Sequence, residues 1–339
     1  MNKYEYLGDR KAEWLDKFVE ELEKNIQLIN QYIEFERHTV LKANCEKESL
    51  IIRFPESTIA PTLYLDDIYE QYEVSKPSVA AILVSEQIIQ NQKKIQDFDI
   101  KSKLTYEYFK QNLTYKVLNS ALNEKIAETS PARKIFDGEL MLVPYVNIDT
   151  DRGQALFRVN RDIQNRVKMT DDEIHKYAMA NMHAEDFIIR GMSDVISEMM
   201  HANGVEDEFF EDVLADEEML FVVTTTNNLG GASALVNPQV MDSVNDRIGE
   251  DNFFIIPSSV NEILIIPASK IDDPANLQAM CQDVNSNPDL IRKEDFLSNN
   301  IFFFNGQKQE IHICNTKQEY QELMKDEENL KQKTISRGI

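Results

Sequence analysis

Residues 253 to 269 read FFIIPSSVNEILIIPAS, and Ile255-Ile256-Pro257-Ser258-Ser259 returns ten residues later as Ile265-Ile266-Pro267-Ala268-Ser269. Two runs of Phe, Ile and Leu around a polar SSVNE loop predict two strands joined in a hairpin. Adjacent residues of a strand face opposite sides, so the doubled isoleucines predict burial on both faces. Proline has no N–H to give a ladder, which places Pro257 and Pro267 at strand ends. A nucleophilic serine here would need a base within hydrogen-bond reach and a group to orient that base. No histidine lies between His201 and His312, and no G-x-S-x-G elbow occurs, so a structural hairpin is the preferred reading.

The residues before this stretch extend the pattern. Leu220 to Thr226 reads as a strand. Asn237-Pro238 is an N-cap followed by proline at the first helical position, Val240, Met241, Val244 and Ile248 form an apolar face, and Gly249 ends the helix. A crossover of that length allows the strands ending at Thr226 and Pro257 to run parallel. Their loops then share one sheet edge, about 10 to 12 Å apart if one strand lies between them. Asn227, Asn228, Ser258, Ser259, Asn261 and Glu262 are therefore the candidate polar loop cluster, flanked by Gly230 and Gly231. NNLGGAS at 227–233 lacks lysine and the G-x-G-x-x-G spacing, so it reads as a turn with close backbone approach and not as a phosphate loop.

Beyond the hairpin, a helix is expected from Pro274 to Val284. Ile301–Phe304 and Gln309–Ile313 form a second hairpin about Asn305-Gly306, with positive φ expected at both turn positions. From Thr316 the Lys/Glu/Gln-rich tail reads as a solvated or fraying helix. Upstream, Leu15, Phe18, Leu22, Ile26, Ile29 and Ile33 mark one apolar helix stripe. Strands are expected at Leu50–Phe54 and Thr62–Leu65, with Asp66 and Asp67 on opposite strand faces. Helices are expected over 78–96 (Val79, Ile82, Leu83, Ile88 and Ile89 inward), 105–127 and 184–200. Glu139–Ile148 and Gln154–Val159 predict a hairpin, and Thr170 with Glu173 a capping box opening a helix to about Met182.

These elements give an α+β fold, with a helix-rich mixed region at 1–200 and a mixed C-terminal sheet in strand-helix-strand-hairpin order at 219–315. Between them, 201–218 holds eight acids and no Lys or Arg, and reads as an acidic linker or lid; 316–339 is a charged tail.

The chain has 36 basic and 59 acidic residues among 339, a formal charge of −23. Such a surface repels phosphate backbones, so no nucleic-acid binding is expected. The plain reading of this charge is solubility; the sharper one is a basic protein partner or mimicry of a nucleic acid, with Glu206, Asp207, Glu208, Glu211 and Asp212 as the candidate contact. No apolar run approaches a membrane span, and the charged first twenty residues exclude a signal peptide. Cys45, Cys281 and Cys314 stand far apart, as expected of reduced thiols in a cytoplasmic protein. No metal or cofactor is expected. His175 and His183 are eight apart where a helical zinc site wants four, and DTDRG at 149–153 has glycine at loop position five where a calcium loop wants six.

Four stretches carry a resemblance: APTLYLDDIYEQY (60–72), NLTYKVLNSALNEKI (112–126), residues 222–269 and VNSNPDLIRKEDFLSNNIFFFN (284–305). Together they resemble a domain-of-unknown-function family of Clostridia-like bacteria. The resemblance implies a cytosolic bacterial protein and supplies no activity, cofactor or catalytic residue. The expectation is a non-enzymatic interaction or regulatory protein. The alternative is an enzyme of the hydrolase class using the loops at 227–231 and 258–262.

Overall fold

The computed structural model describes residues 3–55, 57, 59–95, 100–150, 153–202 and 219–325. The chain divides into two compact units, Met1–Thr105 and Tyr106–Ile339.

The first unit contains α1 (Lys3–Gln27), β1 (Glu34–Lys42), β2 (Cys45–Arg53), β3 (Thr62–Tyr64), α2 (Leu65–Tyr72), α3 (Pro77–Ile95) and the short α4 (Ile100–Lys103). β1, β2 and β3 form an antiparallel sheet in that order. Leu15, Phe18, Leu22 and Ile26 enter its core from α1, as the three- and four-residue spacing requires. α1 ends at Gln27, so Ile29 falls outside the stripe and is exposed. On α3 the buried residues are Ala80, Ala81, Val84 and Ile88, while Val79, Ile82 and Leu83 face out. The inward face is thus rotated from the expected one, because small Ala side chains let the helix approach its neighbours. Asp66 and Asp67 open α2, not a strand, and pair with Lys11 (2.5 Å) and Lys47 (2.7 Å).

The second unit begins with α5 (Tyr106–Asn112), β4 (Leu113–Asn119), α6 (Glu124–Thr129), β5 (Arg133–Ile135), β6 (Leu140–Thr150) and β7 (Gly153–Arg158). β6 pairs with β4 on one side and with β5 and β7 on the other, all antiparallel. The helix expected over 105–127 is therefore split by β4, whose alternating Leu113-Thr114-Tyr115-Lys116-Val117 carries a period of two inside an apparent helical run. Then come α7 (Arg161–Val167) and α8 (Asp171–Asn181), the latter with the reciprocal Thr170–Glu173 capping box.

β8 (Phe187–Gly191), α9 (Met192–Ala202), β9 (Phe221–Thr225), α10 (Pro238–Ile248), β10 (Asn252–Ser259), β11 (Glu262–Pro267), α11 (Pro274–Asn285), β12 (Phe302–Asn305) and β13 (Glu310–Ile313) complete the unit. The helix expected over 184–200 begins only at Met192, since Phe187-Ile188-Ile189 is taken into β8. A six-stranded sheet runs β13-β12-β10-β11-β9-β8. Every neighbouring pair in it is antiparallel, so the expected mixed sheet is corrected. The relation expected of the strands ending at Thr226 and Pro257 holds at one remove: β9 and β10 are parallel to each other with β11 between them. The expected division near 201–218 is also corrected, because β8 before that segment pairs with β9 after it in one sheet. The segment itself lies outside the described residues.

Phe253, Phe254, Ile255 and Ile265 are fully buried, so the sheet is covered on both faces. The cross-strand partners Phe253/Phe304 and Phe254/Phe303 bring their rings to 4.7 and 5.2 Å; burying one such side chain is worth about 1.5–3 kcal/mol. Pro257 lies inside β10, at the register shift between Ile256 and Ser259, where no ladder N–H is required. The Asn305 side chain accepts from the amides of Gln307 and Lys308 at 3.1 and 3.0 Å, and the left-handed turn residue is Gln309, not Gly306. Residues 317–325 are helical, and their Tyr320 ring packs 5.2 Å from Phe254 and 5.3 Å from Phe303; the start of the tail is docked, not solvated.

Candidate functional site

A cleft of about 170 Å³ lies within the second unit. One wall comes from Thr114 and Tyr115 of β4, Asn147 of β6 and Leu156 of β7. Asn181 and Met182 close it at the end of α8. The opposite side is Asp186, Phe187 and the turn after β9, which contributes Asn227, Leu229, Gly230 and Ser233.

The turn is fixed from within. The Thr225 hydroxyl accepts from the Leu229 amide (2.9 Å) and lies within donating distance of Asn227 Oδ1 (2.8 Å) and the Leu229 carbonyl (3.0 Å). Asn228 has φ +55, a left-handed position that asparagine tolerates. The Ser233 hydroxyl donates to the Gly230 carbonyl (2.8 Å).

The second candidate loop supports the first. Asn261 Oδ1 accepts from the Gly230 amide (3.1 Å), and the Asn261 carbonyl accepts from the Gly231 amide (3.1 Å) and the Thr224 hydroxyl (2.7 Å). The two loops are thus hydrogen-bonded, much nearer than the expected 10 to 12 Å. A Cβ on Gly231 would run into the Asn261 carbonyl and lie 2.8 Å from Thr224 Cα. Of the six candidate residues Asn227 lines the cleft; Asn228, Ser258, Ser259, Asn261 and Glu262 do not. The Ser258 hydroxyl donates to Glu262 (3.2 Å), and the Ser259 hydroxyl accepts from the Asn261 amide (3.1 Å). Glu206, Asp207, Glu208, Glu211 and Asp212 lie outside the described residues.

Sequence reasoning missed Asn181 and Asp186. Both N–H groups of the Asn181 amide donate to main-chain carbonyls, of Lys110 and Leu113, at 3.0 Å each. Asp186 is held by its backbone, its amide donating to the His183 carbonyl (3.2 Å) and its carbonyl accepting from Thr226 (2.8 Å). Its one sequence signal, a carboxylate just before a β-branched run, is hidden when 184–200 is read as helix.

His175 of α8 faces β4, its Nδ1 lying 3.1 Å from the Tyr115 hydroxyl. Burial pushes the Tyr115 phenol up to about 12, and burial followed by the nearby Arg133 charge lowers the His175 pKa. His183 is exposed beyond the helix end. Among the described residues no group of three His, Cys, Asp or Glu is placed to hold a metal ion. Burial raises the thiol pKa of both Cys281 and Cys314, which removes thiolate character. No described helix is long and apolar enough to cross a membrane.

Fold and cleft together define an α+β protein with antiparallel sheets and a small polar cleft formed where the turn after β9 meets β4 and α8. The chain belongs to a family of unknown function, DUF5688, whose model matches residues 12–306. No curated protein and no solved structure matches it.

Proposed function

We propose that this chain is a non-enzymatic interaction protein of the cytoplasm of a Clostridia-like bacterium, with an acidic surface that receives a basic protein partner. One observation carries the reading: polar side chains of the two candidate loops are engaged in hydrogen bonds within those loops and, through Asn261, between them. Asn261, Ser259, Thr225 and Ser233 all bond to main chain, and neither serine of the 258–262 loop has a histidine as hydrogen-bond partner. The formal charge of −23 supplies the complementarity, and Glu206, Asp207, Glu208, Glu211 and Asp212 are the proposed contact. The competing reading, an enzyme acting through 227–231 and 258–262, is supported by Asn227, Leu229 and Gly230 at the cleft wall, while none of 258–262 lines the cleft.

Titration with a lysine-rich peptide across a salt series tests the proposal. Binding should weaken steeply with salt, because the screening length falls from about 10 Å at 0.1 M to about 3 Å at 1 M. Neutralising the five acids of 206–212 together should weaken it further. Absence of binding at low salt, or insensitivity to salt, overturns the reading.

A further inference from the structure

From the cleft's chemistry we infer that it is a receptor for a primary ammonium on an alkyl stem, such as the end of a lysine side chain, with Asp186 as counter-charge. The inference deepens the basic-partner reading and rests on it for the source of the amine.

The lining contains one carboxylate, Asp186, and no Lys, Arg or His. Among the described residues no cation forms an ion pair with Asp186, while its backbone is anchored on both sides by the His183 carbonyl and the Thr226 amide. Asp186 is exposed, so a ligand entering the cleft can reach its side chain. Lys116, beside Gly230, holds its Nζ over the Tyr145 ring at 5.4 Å.

The remaining polar groups favour the same ligand. The Asn181 N–H groups are both engaged, which fixes the amide and leaves Oδ1 as the group it can offer. The Ser233 hydroxyl proton is also engaged, at the Gly230 carbonyl. The cleft presents the Asp186 carboxylate and the Asn181 amide oxygen, and the Asn147 amide and the Thr114 and Thr226 hydroxyls in its lining can also accept, which suits an ammonium with three donors and no acceptor. An anion would meet no cation in the lining and a chain of net charge −23. Met182, Phe187, Leu156 and Leu229 provide apolar surface for the methylenes of the stem. A volume near 170 Å³ is below the roughly 300–1,000 Å³ of most small-molecule pockets, and fits a side-chain end better than a large ligand.

The test titrates the full chain with two probes, N-acetyl-lysine N-methylamide and a lysine-rich peptide, each also in its Nε-acetylated form. Wild type is compared with Asp186→Asn, with Leu229→Trp, which narrows the cleft, and with Asp242→Asn, which removes an equal charge from the exposed side of α10. Both amine probes should bind wild type, and Asp186→Asn should weaken them about tenfold or more, as expected for a charge-assisted hydrogen bond. Leu229→Trp should weaken both, Nε-acetylation should abolish binding of the small probe, and Asp242→Asn should leave it unchanged. Peptide binding that is equal in wild type and Asp186→Asn overturns the cleft inference and leaves the basic-partner reading standing. Asp186-dependent binding of the small probe without peptide binding supports the cleft and overturns that reading. If neither probe binds, both fall.

Discussion

Asn261 Oδ1 lies 3.1 Å from the Gly230 amide nitrogen, across the gap between the hairpin loop of β10–β11 and the turn after β9. With its carbonyl accepting from Gly231 and Thr224, this one residue satisfies three donors on the neighbouring segment. The parallel relation of β9 and β10 makes the contact possible, because it brings both strand ends to one edge of the sheet with only β11 between them. The cleft wall is therefore set by a residue that does not itself line the cleft.

Asn261→Ala should destabilise the protein by about 1 kcal/mol, the net worth of one hydrogen bond, since its main-chain contacts survive. The Gly230 turn should loosen selectively. Hydrogen exchange at the Gly230 amide, rising in the variant while the core strands stay protected, is the expected outcome.

Two glycine substitutions should separate steric from conformational cost. Gly231→Ala puts a methyl against the Asn261 carbonyl and Thr224 Cα, both backbone atoms that cannot rotate away, and should cost about 1–3 kcal/mol. Gly249, at φ +74 after α10, has nothing within 4 Å of an added Cβ. Gly249→Ala therefore pays only the left-handed strain of about 1–2 kcal/mol. Urea unfolding midpoints give both values. A compensating Asn261→Gly should leave the Gly231→Ala defect in place, because the clash is with main chain.

Most of this sheet could be read from residues. Pro267 at the end of β11, the Asn237-Pro238 cap and Gly249 each act locally, so their consequences hold whatever surrounds them, whereas Pro257 is taken into β10 at the register shift there. β4 and β8 could not be read in the same way. NLTYKVLN and FIIRG are short, and their tertiary neighbours decide between helix and strand: β4 is secured by β6, and β8 by β9. Asn181 and Asp186 depend on those same elements, so missing the strands meant missing the cleft. Asn227 was found because it follows a strand that could be recognised.

Docking of the 317–325 helix predicts that the tail contributes to stability. Tyr320→Ala removes a ring in contact with Phe254 and Phe303 and should cost about 1–2 kcal/mol, less than a fully buried aromatic because the ring is only partly covered. Removing residues 316–339 should lower the thermal midpoint by several degrees.

His175 supplies the pH-dependent element. Burial against β4, and next the Arg133 guanidinium, disfavour its charged form, so its folded-state pKa lies below the ordinary value of 6.5. The unfolded chain then binds the proton first as pH falls through 6.5, and the folded state loses stability from there down to its own lower pKa. Above this window the effect vanishes, and below it the loss is constant. The slope contributed cannot exceed about 1.4 kcal/mol per pH unit, the one-proton limit. The Asp172 carboxylate near His175 opposes the shift, and it is paired with Arg133 at 2.6 Å. Asp172→Asn should therefore widen the window by removing the opposing charge. His175→Gln should flatten the stability profile between pH 7.5 and 5, measured by urea unfolding at fixed ionic strength. An unchanged slope in that variant would assign the acid sensitivity to the carboxylates instead.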